Sequence, residues 1–162
     1  MRTIYWRPPP IGHLKLNVDG AARGNHGPTR GGGILRNHTW SIIFAFSHYY
    51  DVQTNTAVEA MAIHDGLLLC EEHKLHGIVL ESDSRVLVEM LRAGTCSHWQ
   101  LKSTWMDIMR CRVRISTITH QLRKGNQTAD VLATHAVCTR LRSVFTSLQD
   151  MPVEARGRHR LE

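Results

Sequence analysis

Apolar and polar residues alternate over residues 14–19, with Leu14, Leu16 and Val18 set against Lys15, Asn17 and Asp19. A period of two is that of a strand with one face toward a core, and this strand ends on an acid. Residues 20–33 then hold six of the chain's twelve glycines together with Pro28, which predicts a turn or loop. Residues 34–36 and 42–47 read as two more strands joined by the polar turn Asn37-His38-Thr39, completing an antiparallel meander. The period becomes helical from Asn55 or Thr56, where Ala60, Ile63, Leu67 and Cys70 make one apolar stripe that ends before Gly77. Ile78-Val79-Leu80 is a short continuous apolar run, as in a strand covered on both faces, and the acids Glu81 and Asp83 follow it. Helices are expected over residues 84–92, closed by Gly94, and over residues 99–112. Residues 113–119 predict a fifth strand, and a last helix runs from a cap at Asn126 to about Ser147.

Three strands followed by alternating helices and strands imply an α/β layer structure around a mixed sheet. The chain of 162 residues suits one domain. We place it at residues 13–148, with 1–12 as an N-terminal linker that includes Pro8-Pro9-Pro10 and 149–162 as a basic C-terminal tail. A content of 42% hydrophobic and 21% charged residues is that of a folded domain rather than a disordered one. No apolar run approaches the ~20 residues that span a bilayer, and the N-terminus lacks a secretory stretch. An intracellular location, nucleus or cytoplasm, is therefore expected, with no membrane partner. Cys70, Cys96, Cys111 and Cys138 form no Cys-x-x-Cys pair, which argues for reduced thiols rather than zinc. A net charge of +6 makes nucleic acid a natural partner, since neutralised phosphates release counterions.

Four acids stand at element ends: Asp19, Glu59, Asp83 and Asp130. Each has a structural alternative. Asp19 could open the glycine-rich turn. Glu59 could complete a capping box with Thr56. Asp83 could cap the helix after it, and Asp130 could complement the dipole of its helix. Asp19 and Asp83, however, both follow strands, and ligands of open α/β sheets gather beyond the carboxyl ends of strands. Were the two flanking helices to bring Glu59 and Asp130 to the same place, four carboxylates would share one cleft. Such a cluster calls for cations, and oxygen-only donors suit Mg²⁺ or Mn²⁺ rather than zinc.

Lys15-Leu16-Asn17-Val18-Asp19-Gly20-Ala21, Val58-Glu59-Ala60, Glu81-Ser82-Asp83-Ser84 and Asn126-Gln127-Thr128-Ala129-Asp130-Val131-Leu132-Ala133 resemble the blocks of type 1 ribonuclease H. The plant retrotransposon-derived, reverse transcriptase-like branch is the more similar one, and the resemblance runs from Trp6 to Arg156. It implies a ribonuclease H-like fold with a five-stranded mixed sheet, three antiparallel strands then two parallel, flanked by helices. It further implies a monomeric, metal-dependent endonuclease that hydrolyses the RNA strand of RNA/DNA hybrids with two Mg²⁺ ions, Mn²⁺ being possible. Asp19 matches the acid shared by both metals, and Asp130 the further ligand of the ion that activates water. Glu59 and Asp83 match the ligands of the second ion, and His120 the histidine that assists proton transfer or product release. Gly20, Ala21, Asn55, Thr56 and Asn126 match positions near the nucleic acid.

The resemblance has departures. Thr56 stands where the family often has Asn, with Asn55 one step earlier, and Gln121-Leu122-Arg123-Lys124 replaces a Val-Pro-Arg-Glu segment. The stretch 93–99 is too short for the basic protrusion with which some members grip the hybrid. Beside the active nuclease stand two other readings. One is a catalytically weak or inactive nucleic-acid-binding domain derived from a retrotransposon polyprotein. The other is a fragment that works only within the longer polyprotein.

Overall fold

The structure, a computed structural model, describes residues 7–22, 29–51, 54–122, 126–139 and 142–161. Trp6, residues 23–28 of the glycine-rich stretch, and Arg123 with Lys124 lie outside the described residues. Strands β1 (Leu14–Ala22), β2 (Thr29–Arg36) and β3 (Ile42–Tyr50) form the expected meander. Helix α1 (Asn55–Glu72) leads to β4 (Ile78–Ser82); α2 (Arg85–Ala93) and α3 (Lys102–Arg110) lead to β5 (Ile115–His120). Then come α4 (Gln127–Thr139), β6 (Arg142–Phe145) and α5 (Val153–Leu161). The sheet order is β5-β4-β1-β2-β3-β6. Strand β1 pairs in parallel with β4 and antiparallel with β2, so the sheet changes direction at β1.

Two layers cover the sheet. On one face Leu16, Val18, Leu35, Phe44, Phe46 and Leu80 pack against the apolar stripes of α1, α2 and α3. On the other, Ile34 and Ala45 pack with Leu132 of α4 and with Met151 and Ala155 at α5. Among the described residues no helix is long and apolar enough to cross a membrane. Cys70, Cys96 and Cys111 are free thiols, and burial pushes the Cys70 thiol up to about 12, which keeps it protonated.

Three expectations are corrected. The sheet has six strands rather than five: the last helix stops at Thr139, and β6 continues the open edge of β3, pairing Phe145 with Ala45. Valine and phenylalanine suit a pleated edge, and pairing there satisfies the backbone groups of β3 that a longer helix would leave unpaired. The tail contains a helix, α5, anchored by the fully buried Ala155. Finally, Gly31-Gly32-Gly33 is not a turn but the interior of β2, paired on both sides. Glycine is poor in strands by propensity, yet here its missing side chain is the space into which neighbours pack. A methyl group at Gly31 would meet the Tyr50 ring at 2.7 Å; one at Gly33 would strike the Phe46 ring. At Gly32 it would strike the Ala133 amide of α4 and stand 2.9 Å from the Ala129 carbonyl.

Beside β3 lies a buried polar knot. Asp65 Oδ2 of α1 accepts from His48 Nδ1 at 2.7 Å, from the Tyr50 hydroxyl, and from Arg142 of β6 at 3.1 Å. Burial pushes the Asp65 carboxyl up, but the hydrogen bonds from His48 and Tyr50 and the charges of His48 and Arg142 outweigh it. The net effect holds Asp65 below the ordinary carboxylate value. The knot thus ties α1, β3 and β6 together.

Two outcomes follow from this packing. Gly32→Ala should lower the free energy of unfolding by about 1–3 kcal/mol or more, read as a drop in the urea midpoint with an unchanged m-value, because backbone of α4 cannot yield as a side chain can. Asp65→Asn should cost about 2–4 kcal/mol at neutral pH, since it leaves buried donors without their charge. A depressed carboxylate stabilises above its unfolded value near ~4 and loses that contribution as pH falls through the folded value. Acid titration of the variant should therefore show a flatter loss of stability below about pH 4 than the parent chain, and identical acid limbs would refute the assignment.

Candidate active site

The elements that carry Asp19, Glu59, Asp83 and Asp130 abut near the carboxyl end of β1, and their arrangement can be built outward from Asp19. Asp19 is 4% exposed and lies within β1, cross-strand from Gly32. Cross-strand partners share a sheet face, so Asp19 belongs to the face that α4 covers. Gly32 touches the Ala129 carbonyl, which brings the residue before Asp130 against the strand beside Asp19. On the opposite face, a methyl at Gly20 would come within 2.8 Å of Val58 O and 3.0 Å of Glu59 Cα, so α1 presses its Glu59 turn onto β1 one residue past Asp19. Val18 is in register with Ser82 of parallel β4, which sets Asp83 beside Asp19 at the sheet's end. Glu59, Asp83 and Asp130 are each half-buried, whereas Asp19 is buried.

Most of the structural alternatives for these acids fail. Helix α1 is capped by Thr54, whose hydroxyl accepts from Ala57 N, so Glu59 lies beyond any capping box with Thr56. Helix α2 is capped by Ser84, whose hydroxyl accepts from Leu87 N, not by Asp83. Asp19 opens no turn, because β1 continues to Ala22. Only Asp130 keeps its dipole position, in the first turn of α4.

The neighbours hold these acids in place. Asn126 is 1% exposed, and its Nδ2 donates to Val18 O at 2.7 Å, fastening the start of α4 to the strand that carries Asp19. The Asp130 amide donates to Asn126 O at 3.2 Å. His120 ends β5 opposite Ser82, with Nε2 3.2 Å from Asp83 O, while Gln121 N donates to Ser82 O at 2.9 Å. Asn55 is exposed at the first turn of α1, and Thr56 is half-buried in a depression it shares with Thr54, His98, Gln100 and Leu101. Gly20 is buried against α1, and Ala21 follows it in β1.

A fifth acid nearby is fully engaged. Glu81 accepts from Asn17 Nδ2 at 2.8 Å and pairs with Lys15 at 3.0 Å; Asn17 Oδ1 accepts in turn from Arg36 at 3.3 Å, and Arg36 meets His159 Nδ1 at 3.2 Å. Sequence reasoning gave Lys15 and Asn17 to the polar side of a strand. The missed signal was their place on the central strand, where both faces are covered and a polar side chain must be satisfied internally.

All four candidate donors are carboxylates, with no thiol among them, which is the chemistry of a hard divalent cation. Among the described residues no three His, Cys, Asp or Glu side chains are gathered as a ready metal cage. What the structure brings together is thus the backbone of the elements that carry these acids.

Comparison with known proteins bears on the family and the fold. Residues 17–136 match the family model described as reverse transcriptase-like. Over 146 residues the chain is 33% identical to an Arabidopsis thaliana protein that bears the name ribonuclease H protein, taking in 83% of this chain and 22% of that protein. The chain thus spans about a fifth of the length of that curated relative. Among solved structures, ribonuclease H1 of the archaeon Halobacterium salinarum superposes with a TM-score of 0.72 at 25% identity, covering 79% of this chain and 99% of that one. The N-terminal ribonuclease H domain of a Mycobacterium tuberculosis protein gives 0.73 at 21% identity, over 78% and 94% of the two chains. A ribonuclease H1 isolated from compost, solved in complex with an RNA/DNA hybrid, gives 0.72 at 22% identity, over 78% and 98%. The last two likenesses concern the fold alone.

The Asn126 tie is directly testable. Asn126→Ala leaves a buried carbonyl without its donor and should cost about 1–3 kcal/mol in chemical denaturation. Amide hydrogen exchange should quicken most at Ala129 and Asp130; quickening spread evenly over the chain would show that the tie does not position α4.

Proposed function

This chain belongs to the reverse transcriptase-like family as a ribonuclease H domain of the plant retrotransposon type, and on that premise we propose that it hydrolyses the RNA strand of RNA/DNA hybrids. One observation carries the reading. Asp19, Glu59 and Asp83 have none of the capping or turn duties that would otherwise explain them, yet they come from three elements that abut at one sheet end. The named relatives support the same reaction class, and the compost enzyme shows the fold engaged with such a hybrid.

In this mechanism Asp19, Glu59, Asp83 and Asp130 would hold two divalent cations, Mg²⁺ or Mn²⁺. Bound there, the cations would neutralise the phosphodiester, lower the pKa of the attacking water and stabilise the leaving oxygen. Asp19, the buried member of the set, would be the carboxylate shared between the two ions. Asp130 would complete the set on the side of the attacking water, and Glu59 and Asp83 the set on the side of the departing 3′ oxygen. Water attacks phosphorus in line and the P–O3′ bond breaks, leaving a 5′-phosphate and a 3′-hydroxyl. His120, whose Nε2 lies 3.2 Å from the Asp83 carbonyl oxygen, would assist proton transfer or product release. Asn55 and the half-buried Thr56, at the start of α1, would meet the minor groove, where 2′-hydroxyls distinguish RNA from DNA.

The purified chain should cleave the RNA strand of a hybrid in Mg²⁺ and stop when EDTA is added. Asp19→Asn should lower the rate by about a hundredfold or more while circular dichroism stays native. Binding of hybrid by the intact chain with no cleavage in either Mg²⁺ or Mn²⁺ would replace this reading with that of a non-catalytic nucleic-acid-binding module.

A further inference from the structure

The basic charge of this chain is distributed unevenly among the described residues. Lys15, Arg85, Arg110 and Arg142 face carboxylates, while Arg92 and Arg114 donate to main-chain carbonyls. Helix α5 is different. It carries Glu154 in its first turn and Arg158, His159 and Arg160 in its last, the polarity that the helix dipole favours. Its inner side is fixed by Ala155, 0% exposed against the second core, while Arg158 and Arg160 are exposed.

The direction of α5 decides where this charge goes. Arg158 donates from one guanidinium nitrogen to Gln127 Oε1 at 3.0 Å, and Gln127 is the first residue of α4. The basic end of α5 therefore meets the end of α4 that carries Asp130. Gln127 and Asp130 are three residues apart and share a helix face, separated by roughly 4.5 Å along the axis. The partner of Arg158 is a neutral amide. It orients the planar guanidinium without cancelling its charge, and leaves further N–H donors for a second acceptor.

We propose that the basic last turn of α5, Arg158 with Arg160, is a phosphate-gripping contact that holds the nucleic-acid backbone next to the start of α4. The proposal rests on the hybrid-cleaving function above. It assigns to the C-terminal helix the grip that the short segment between α2 and α3 does not supply.

The test compares the intact chain with Arg158→Gln/Arg160→Gln and with the charge-keeping pair Arg158→Lys/Arg160→Lys. Binding to a fluorescent RNA/DNA hybrid is measured in EDTA across a KCl series, and cleavage kinetics are measured in Mg²⁺. The glutamine pair should flatten the plot of log affinity against log salt by about one to two units of slope, near ~0.9 for each phosphate that is no longer neutralised. It should also raise KM roughly tenfold at ~0.1 M salt while kcat stays within about twofold. The lysine pair should restore most of the slope, which a purely structural role of the Gln127 hydrogen bond would not permit. Lys74→Gln, an exposed change beyond the last turn of α1, should leave the slope unaltered. If the intact chain cleaves the hybrid yet the glutamine pair leaves slope and KM unchanged, or the lysine pair fails to restore the slope, the α5 grip is overturned and the nuclease assignment stands. If the intact chain neither binds nor cleaves the hybrid, both fall.

Discussion

The desolvation of β1 is the constraint on which the remainder of the molecule depends. A strand at the centre of a sheet, covered by α1 on one side and by α4 and α5 on the other, has no face to give to water. Its apolar positions Leu16 and Val18 satisfy the first layer. Its polar positions must be matched within the protein, because an unpaired charge there would cost several kcal/mol. The row Lys15, Glu81, Asn17 and Arg36 meets that demand across three strands, and His159 of α5 closes it. Lys15 thereby neutralises the buried Glu81.

The glycines of β2 solve a second problem, that of distance. Helix α4 starts on the strand carrying Asp19 and crosses the sheet, and its backbone comes close enough to β2 that no Cβ fits at Gly32. This close approach sets the height of Asp130 relative to Asp19. A larger residue would lift α4 off the sheet and move the carboxylate with it. In the same way Gly20 lets α1 seat its Glu59 turn directly on β1. Two glycines adjacent to one buried acid therefore fix two of the other three.

Much of this was legible in the residue pattern, and what was not has physical causes. The meander, β4 between two helices and the cap at Gly94 follow from periodicities of 2 and 3.6 and from an αL glycine. The four acids were readable as a set only through their places at element ends and through the resemblance. Propensity misled at Gly31-Gly32-Gly33, where packing on both faces overrides the low strand preference of glycine. It misled again after Thr139, where an apolar run could extend a helix or pair with an open edge, and the edge of β3 prevailed. The polar knot of Asp65, His48, Tyr50 and Arg142 joins residues up to 94 positions apart. No local pattern encodes such a contact.

The local chemistry at the starts of α1 and α2 explains how strands and helices can present acids without using them as caps. At α1 the capping hydroxyl is Thr54, five residues before Glu59; at α2 it is Ser84, directly after Asp83. A neutral hydroxyl satisfies the orphan amide in each case. The acid nearby is then spared the capping role. At α4 the division of labour is similar, since Asn126 reaches across to Val18 and Asp130 occupies the first turn. Each carboxylate is thereby carried on backbone that its neighbours fasten. That backbone is fixed independently of the acids, by β1 pairing, by glycine contact and by the neutral caps together.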